Sequence, residues 1–255
     1  GTWRSLFKLH LFQNNHPVHI IHQYSIDNNV LSKFVEKISS FNKSKLKTVE
    51  YISKSRTPYL PYSCIILDEI MKVSNPKKII CSISGLREGS LSIDHFKDVK
   101  ESEIFYKAIE KVAQKRGDLG SNYKKYYDFI QPVFEGNEHF NKKLLYLACV
   151  LSHMDWGLGA FQKAELVFQE TINTPLLRLT HKERIQLALS CYWRYCSIKY
   201  NPKMEYLTIL NNNEIFSSKQ VGAALRFSQS LTSISTIFLE EFKLYKSCLL
   251  YTSPS

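Results

Sequence analysis

Residues 76–91 read PKKIICSISGLREGSL, and this stretch decides how the first part of the chain folds. The short apolar run Lys78-Ile79-Ile80-Cys81-Ser82-Ile83 reads as a strand. It ends in Ser84-Gly85-Leu86-Arg87-Glu88-Gly89, where a strand gives way to a turn and then a helix. A strand end of this kind suits an anion. Glycines let the backbone approach a ligand, free N–H groups point outward, and the next helix presents its positive dipole end. Arg87 adds a planar, permanently charged fork that matches phosphate oxygens. Glu88 has three readings: it orients Arg87, it caps the following helix, or it locks the turn as an ion pair with Arg87.

Upstream of this stretch, helix and strand patterns alternate. Trp3, Leu6, Phe7 and His10/Leu11 share one helical face, and Pro17 ends that helix. Val18, Ile20, His22, Tyr24 and Ile26 then alternate as in a strand. Asn28/Asn29 are placed to cap a helix with Leu31, Phe34, Val35 and Ile38 inward. After a Lys-rich stretch, Pro58 and Pro61 frame a helix carrying Ile65, Ile66, Ile70 and Val73. This alternation predicts a mixed or mostly parallel sheet with helices against it. Beyond Asp94 only helical patterns follow. They are marked by Ile104/Ala108/Ile109/Val112, Tyr123/Tyr126/Tyr127/Ile130/Phe134 and Leu144/Leu147/Ala148/Leu151. A shorter one carries Leu166/Phe168/Ile172, and two more carry Ile185/Leu187/Ala188/Tyr192 and Val221/Ala224/Leu225/Ser228/Leu231. The predicted division is an α/β domain over 1–97, an all-α domain over 98–249 and a tail over 250–255.

With 255 residues the chain is long enough for two small domains. Its longest apolar run, Leu144–Leu151, falls far short of the roughly 20 residues a membrane span needs. Cys64, Cys81, Cys149, Cys191, Cys196 and Cys248 form no CxxC pair and read as buried thiols in a reducing cytoplasm. The net charge of +11 favours polyanions, but the lysines are scattered in small groups and argue against a dedicated nucleic-acid surface. The chain opens at Gly1 without Met, already inside a patterned segment. It closes on Leu250-Tyr251-Thr252-Ser253-Pro254-Ser255, which continues no pattern. We read it as a fragment whose last residues do not belong to the natural sequence. His16, His19 and His22 are spaced at threes, but Pro17 and the strand alternation argue against a shared metal. Tyr192-Trp193-Arg194-Tyr195 reads as core packing with a partly exposed Arg rather than a base-stacking surface.

Three segments together resemble the exopolyphosphatase/guanosine pentaphosphate phosphohydrolase (Ppx/GppA) family. Gly1-Thr2-Trp3-Arg4, Leu9-His10 and Pro17-Val18-His19-Ile20-Ile21-His22-Gln23-Tyr24 resemble its GGTxR-helix-PLHVVHGY stretch. Ser53-Lys54-Ser55-Arg56 with Leu60-Pro61-Tyr62 resembles its SxxR…LPY stretch, and Gly85-Leu86-Arg87-Glu88-Gly89-Ser90-Leu91 its GLREGLL. More loosely, Leu151-Ser152-His153-Met154-Asp155-Trp156 sits where members carry LSDIGW or an LHDIG-like motif.

The resemblance implies an actin-like fold of two α/β domains followed by a helical domain related to HD phosphohydrolases. This chain would hold the last part of the second α/β domain and the helical domain. The implied reaction removes terminal phosphate from polyphosphate or guanosine pentaphosphate with Mg²⁺. Its catalytic acids lie before the GGT segment, so no catalytic residue and no metal ligand is expected here and the fragment is expected to be inactive. Gly1, Thr2 and Arg4 then belong to a phosphate loop at a helix N-terminus, with simple capping by Thr2 as the alternative. Arg56 falls on a loop near the cleft, or is an exposed surface Arg. Gly85, Arg87 and Glu88 complete the expected phosphate contacts. In the HD comparison Ser152 stands for the His and His153 for the Asp of the metal pair, so a working metal site is not expected. Asp155, one turn on, could supply only part of one. The helical domain is then a binding, dimerisation or lid element. A non-catalytic polyanion-binding or dimerisation module is the alternative, and the aromatic helical half suits a homodimer.

Overall fold

Helix α1 (Thr2–Gln13) forms because Leu6, Phe7, Leu9, His10 and Leu11 fall on its inner side and are buried. In this computed structural model the described residues are 1–95, 101–115, 122–153, 157–174, 179–202, 204–232, 238–242 and 244–245. Among them the protein is mostly helical, with one two-stranded sheet. Two compact units form: Gly1–Asp98 with Pro175–His181, and Val99–Thr174 with Lys182–Ser255.

In the first unit, strand β1 (Ser25–Asp27) leads directly into α2 (Asn28–Ser39), which buries Leu31, Val35 and Ile38. A short helix α3 (Lys43–Lys47) is capped by the Asn42 side chain, which accepts from the Lys45 N–H at 2.9 Å. A 3₁₀ turn over Thr57–Tyr59 precedes α4 (Leu60–Ser74), with Pro61 in the first turn, where its missing N–H costs no hydrogen bond. Asn75 closes α4 in the left-handed region at φ 39°. Strand β2 (Lys78–Ile80) then pairs with β1, matching Ser25 with Ile80, Ile26 with Ile79 and Asp27 with Lys78. Helix α5 (Leu86–His95) follows the turn. The core joins α1, α2 and α4 through Leu6, Phe7, Leu31, Val35, Leu60, Leu67 and Met71.

Four expectations need correction here. The pairing is antiparallel, and the sheet holds two strands among the described residues rather than a mixed or parallel set. The strand expected over 18–26 shrinks to Ser25–Asp27, because Gln23 takes a left-handed φ of 63° that breaks the extended run. The strand expected over 78–83 stops at Ile80, with one further bonded step through Cys81 N–H to the Tyr24 carbonyl. On α4 the buried stripe is Leu60, Cys64, Leu67 and Met71, while Ile65, Ile66, Ile70 and Val73 are exposed. Two smaller points belong with these. Trp3 is exposed at the rim, its indole N–H bonded to the Ser63 carbonyl, and Asp27 rather than Asn28 or Asn29 holds the N-cap position of α2.

The second unit contains α6 (Glu101–Lys115), α7 (Tyr123–Ile130), a 3₁₀ turn (Gln131–Phe134), α8 (Lys142–Leu151) and α9 (Ala160–Asn173). Then come α10 (His181–Tyr195, whose first residue is grouped with the first unit), α11 (Met204–Leu207), α12 (Asn212–Thr232) and α13 (Phe238–Glu241). The helix expected to be short around Leu166 is the 14-residue α9, and Leu166 itself is exposed. Helices α10 and α12 approach at Gly222, where an added Cβ would lie 2.6 Å from Trp193 Cβ and 2.9 Å from the Ser190 carbonyl oxygen. Buried Arg184 donates to the carbonyls of Ile172 and Thr174 at the end of α9, placing a cation at the negative pole of that helix. Burial draws its pKa down to about 10. No helix among the described residues is long and apolar enough to cross a membrane. Cys64, Cys81, Cys149, Cys191 and Cys196 are buried free thiols, and Cys248, like the 250–255 tail, lies outside the described residues.

Candidate functional site

The turn that β2 delivers is organised by Glu88. Its carboxylate accepts the Gly85 N–H at 2.6 Å, the reach-back of a capping box at the start of α5. Hydrogen bonds from Gly85 and from its own backbone N–H hold the Glu88 carboxyl below the usual carboxylate range, with the Arg4 charge adding to them. Helix capping is therefore the role the geometry gives Glu88. The Arg87–Glu88 ion pair considered from sequence does not form. Arg87 is exposed and makes no hydrogen bond or ion pair among the described residues.

Arg4 reaches this turn from the first turn of α1. Its Nε donates to the Ser82 carbonyl at 2.9 Å. A Cβ on Gly85 would lie 3.2 Å from Arg4 Nη2 and 3.3 Å from Glu88 Oε2, so glycine is what lets the guanidinium and the carboxylate close over the turn. The pKa of the Gly1 amino group is lowered from its ordinary value first by burial, then by the charges of Arg4 and Arg56. Thr2 does not cap α1. Gly1 is the N-cap residue, and no side-chain cap bond is made. Gly1, Arg4, Gly85 and Glu88 thus share one neighbourhood, while Arg56 is an exposed residue on the loop before α4. The neighbourhood gathers positive charge, which suits a phosphate chain, but the free backbone donors expected from sequence are not there at the turn: the Gly85 N–H is taken by the Glu88 carboxylate and the Ser84 N–H by Ser82 Oγ. No group of three His, Cys, Asp or Glu side chains that could hold a metal ion occurs among the described residues.

The histidines spaced at threes do not converge on one ligand position. His16 Nε2 pairs with His181 Nδ1 at 2.7 Å, His181 Nε2 donates to the His22 carbonyl, and the Ile83 N–H donates to His22 Nδ1. His19 stacks obliquely on Phe12.

In the second unit, Ser152 and His153 are engaged by a cation of the protein itself. Arg194 Nη1 donates to Ser152 Oγ at 2.6 Å and to His153 Nδ1, while Nη2 bonds Gln229 Oε1. Tyr126 packs edge-on against His153, and the guanidinium lies over Tyr126 and Tyr195. A guanidinium bonded to both would-be ligands puts a positive charge where a metal cation would have to sit. Arg194 is only 4% exposed, correcting the partly exposed Arg expected from Tyr192-Trp193-Arg194-Tyr195, while Tyr192 and Trp193 are core. Asp155 lies outside the described residues. Sequence reasoning missed the Ser82 carbonyl, His181 and Gln229. The first is a backbone group and the others are distant in sequence, so no local motif marks them.

One family model matches this chain over residues 1–95, that of the Ppx/GppA phosphatase family. No curated protein matches the chain. The matched segment runs from Gly1 through α5 and includes the whole Arg4–Glu88 turn, so residues 1–95 are similar to the Ppx/GppA phosphatase family.

Proposed function

We propose that this chain is part of a phosphoanhydride hydrolase that releases terminal phosphate from inorganic polyphosphate or guanosine pentaphosphate. One observation carries the reading. The family match over 1–95 contains Gly1, Thr2, Arg4, Arg56, Gly85, Arg87 and Glu88, and Gly1, Arg4, Gly85 and Glu88 share one neighbourhood. In this reading residues 1–95 are part of an actin-like α/β domain. Arg87, which makes no hydrogen bond or ion pair among the described residues, binds substrate oxygens directly. Arg4 is committed to the Ser82 carbonyl and shapes the turn while adding charge, and Arg56 meets the more distant phosphates. Glu88 keeps the turn closed, and Gly1 and Thr2 lend helix N-terminal N–H groups. Electrostatic stabilisation of the transferring phosphoryl group is the catalytic contribution of these residues. Mg²⁺ accompanies the polyanion and screens its charge, with no ligands drawn from the described residues. Buried free thiols support a cytoplasmic setting.

The helical unit has its own role in this proposal. The Arg194 guanidinium on Ser152 and His153 favours an accessory part, HD-related in ancestry, that binds, dimerises or covers the site without a second metal-dependent reaction.

The test has two arms. The first is titration of the chain with tripolyphosphate, with sulfate as control. The second is phosphate release from polyphosphate and guanosine pentaphosphate with Mg²⁺ by the protein that contains this segment. Tripolyphosphate binding that Arg87→Ala weakens, together with release that the same change lowers, is the expected result. Equal binding of sulfate and tripolyphosphate, with no release, would sink the hydrolase reading and leave a polyanion-independent module.

A further inference from the structure

The helical unit contains an aromatic cavity that the phosphatase reading does not use. It measures about 300 Å³ and is lined by Tyr106 of α6, Lys124, Tyr127 and Asp128 of α7, and Tyr146 of α8. That volume is at the small end of ligand sites, suited to a compact headgroup rather than a whole nucleotide. Tyr146 forms the shared wall. The Tyr106 ring stands 5.3 Å from it at 84°, and the Tyr127 ring 5.3 Å from it at 71°. Tyr123 braces the same ring at 5.2 Å and 80°. Rings set at right angles hold each other by edge-to-face packing, so the walls of the cavity are fixed before any ligand arrives.

The charges around the cavity are unequal. The Lys124 ammonium is engaged by Glu110 at 3.8 Å and by the Tyr123 ring at 5.8 Å. Asp128 makes no hydrogen bond or ion pair among the described residues, although it lines the cavity. Setting Lys124 against Glu110 leaves one carboxylate beside three phenol rings, in a chain whose net charge is +11. Burial and the neighbouring hydroxyls raise the Tyr127 and Tyr146 phenols above their ordinary range, so both rings stay neutral and keep the negative faces that attract a cation. A flat neutral base would leave the carboxylate uncompensated. A compact organic cation satisfies both rings and carboxylate.

We propose that the Tyr106–Tyr127–Tyr146 cavity binds a small quaternary ammonium compound of the choline type, with the cation against the ring faces and Asp128 as its counter-ion. The test is calorimetric titration of the whole chain with choline, tetramethylammonium and 3,3-dimethylbutan-1-ol, the uncharged carbon analogue of choline. Both cations are expected to bind saturably, and choline about tenfold more tightly than the alcohol, the ratio that several partly exposed cation–π contacts and the Asp128 counter-ion supply together. Tyr106→Leu and Asp128→Asn, both at exposed positions, are each expected to weaken choline about fivefold with unchanged circular dichroism. Equal affinity for choline and the alcohol, variants that bind like the parent, or saturable binding of guanosine without choline would each overturn the proposal.

Discussion

The Arg194 guanidinium is hydrogen-bonded to His153 Nδ1 inside the helical unit, with both residues at least 95% or nearly so removed from solvent, at 5% and 4% exposure for His153 and Arg194. A buried cation costs several kcal/mol in desolvation unless its donors are used. Here Ser152, His153 and Gln229 accept from Nη1 and Nη2, and two tyrosine rings lie against the guanidinium, while Nε has no acceptor among the described residues. Arg194→Met keeps the bulk and removes the donors, leaving buried Ser152 and His153 without this donor. We expect a loss of about 2–4 kcal/mol, read from urea denaturation. Arg194→Lys keeps the charge without the fork and should fall between the parent and Arg194→Met.

The approach of α12 to α10 gives a second prediction. At Gly222 the clash of a Cβ is with the Ser190 carbonyl oxygen and the Trp193 Cβ, atoms that no rotamer change can move. Gly222→Ala should therefore destabilise by about 1–3 kcal/mol, despite the better helix propensity of alanine. Gly89→Ala is the control. Nothing lies within 4 Å of a Cβ there and the residue sits within α5, so the change should be neutral or stabilising in the same thermal melt.

These two cases mark what was legible in the sequence. Helices such as α2 and α12, and the Gly85-Leu86-Arg87-Glu88 turn, could be read because their signals are local: a periodic apolar face, or glycines beside charged residues. Strand length could not. Nothing adjacent to Gln23 announces its left-handed backbone, which ends the extended run expected from Val18 onward. On α4 the buried stripe Leu60, Cys64, Leu67 and Met71 and the exposed residues Ile65, Ile66, Ile70 and Val73 are both apolar, so periodicity alone did not choose the inner side. At the candidate site, Gly85 and Glu88 were visible as a motif. The tie from Arg4 to the Ser82 carbonyl spans 78 positions and ends on a backbone atom, so no spacing rule finds it.

The His16–His181 pair makes the first unit acid-sensitive. Burial, aided by the charges of His19 and His10, holds the His16 pKa down at about 4, against an ordinary 6.5. Between those values the unfolded chain binds the proton and the folded one does not, so stability rises with pH across this window. Read downward, stability is lost as pH falls from about 6.5 to about 4, by up to about 3 kcal/mol. Burial lowers the His10 pKa as well, with the same sign. His16→Gln can still donate to His181 Nδ1 but does not titrate. Denaturation midpoints of this variant should fall less between pH 7 and pH 5 than those of the parent. An identical slope would remove His16 from the account.

Arg4 and Arg87 should separate cleanly when each is changed to alanine. Arg4 spends its Nε on the Ser82 carbonyl and closes over Gly85, so Arg4→Ala removes a tie between α1 and the turn after β2. A net hydrogen bond to a charged donor of this kind is worth about 1–2 kcal/mol. Arg4→Ala should lower the thermal midpoint and weaken tripolyphosphate together. Arg87 is exposed and makes no hydrogen bond or ion pair among the described residues, so Arg87→Ala should leave the midpoint within about 0.5 kcal/mol of the parent. Its whole effect should then appear in tripolyphosphate affinity, and that effect should shrink with added salt as screening grows. A stability loss in Arg87→Ala as large as in Arg4→Ala would mean that Arg87 holds the fold. Unchanged affinity at low salt would mean that Arg87 does not meet the phosphates. The two arginines lie in one family-matched segment, yet only Arg4 is tied to the turn, so the two variants separate holding the turn from meeting the proposed ligand.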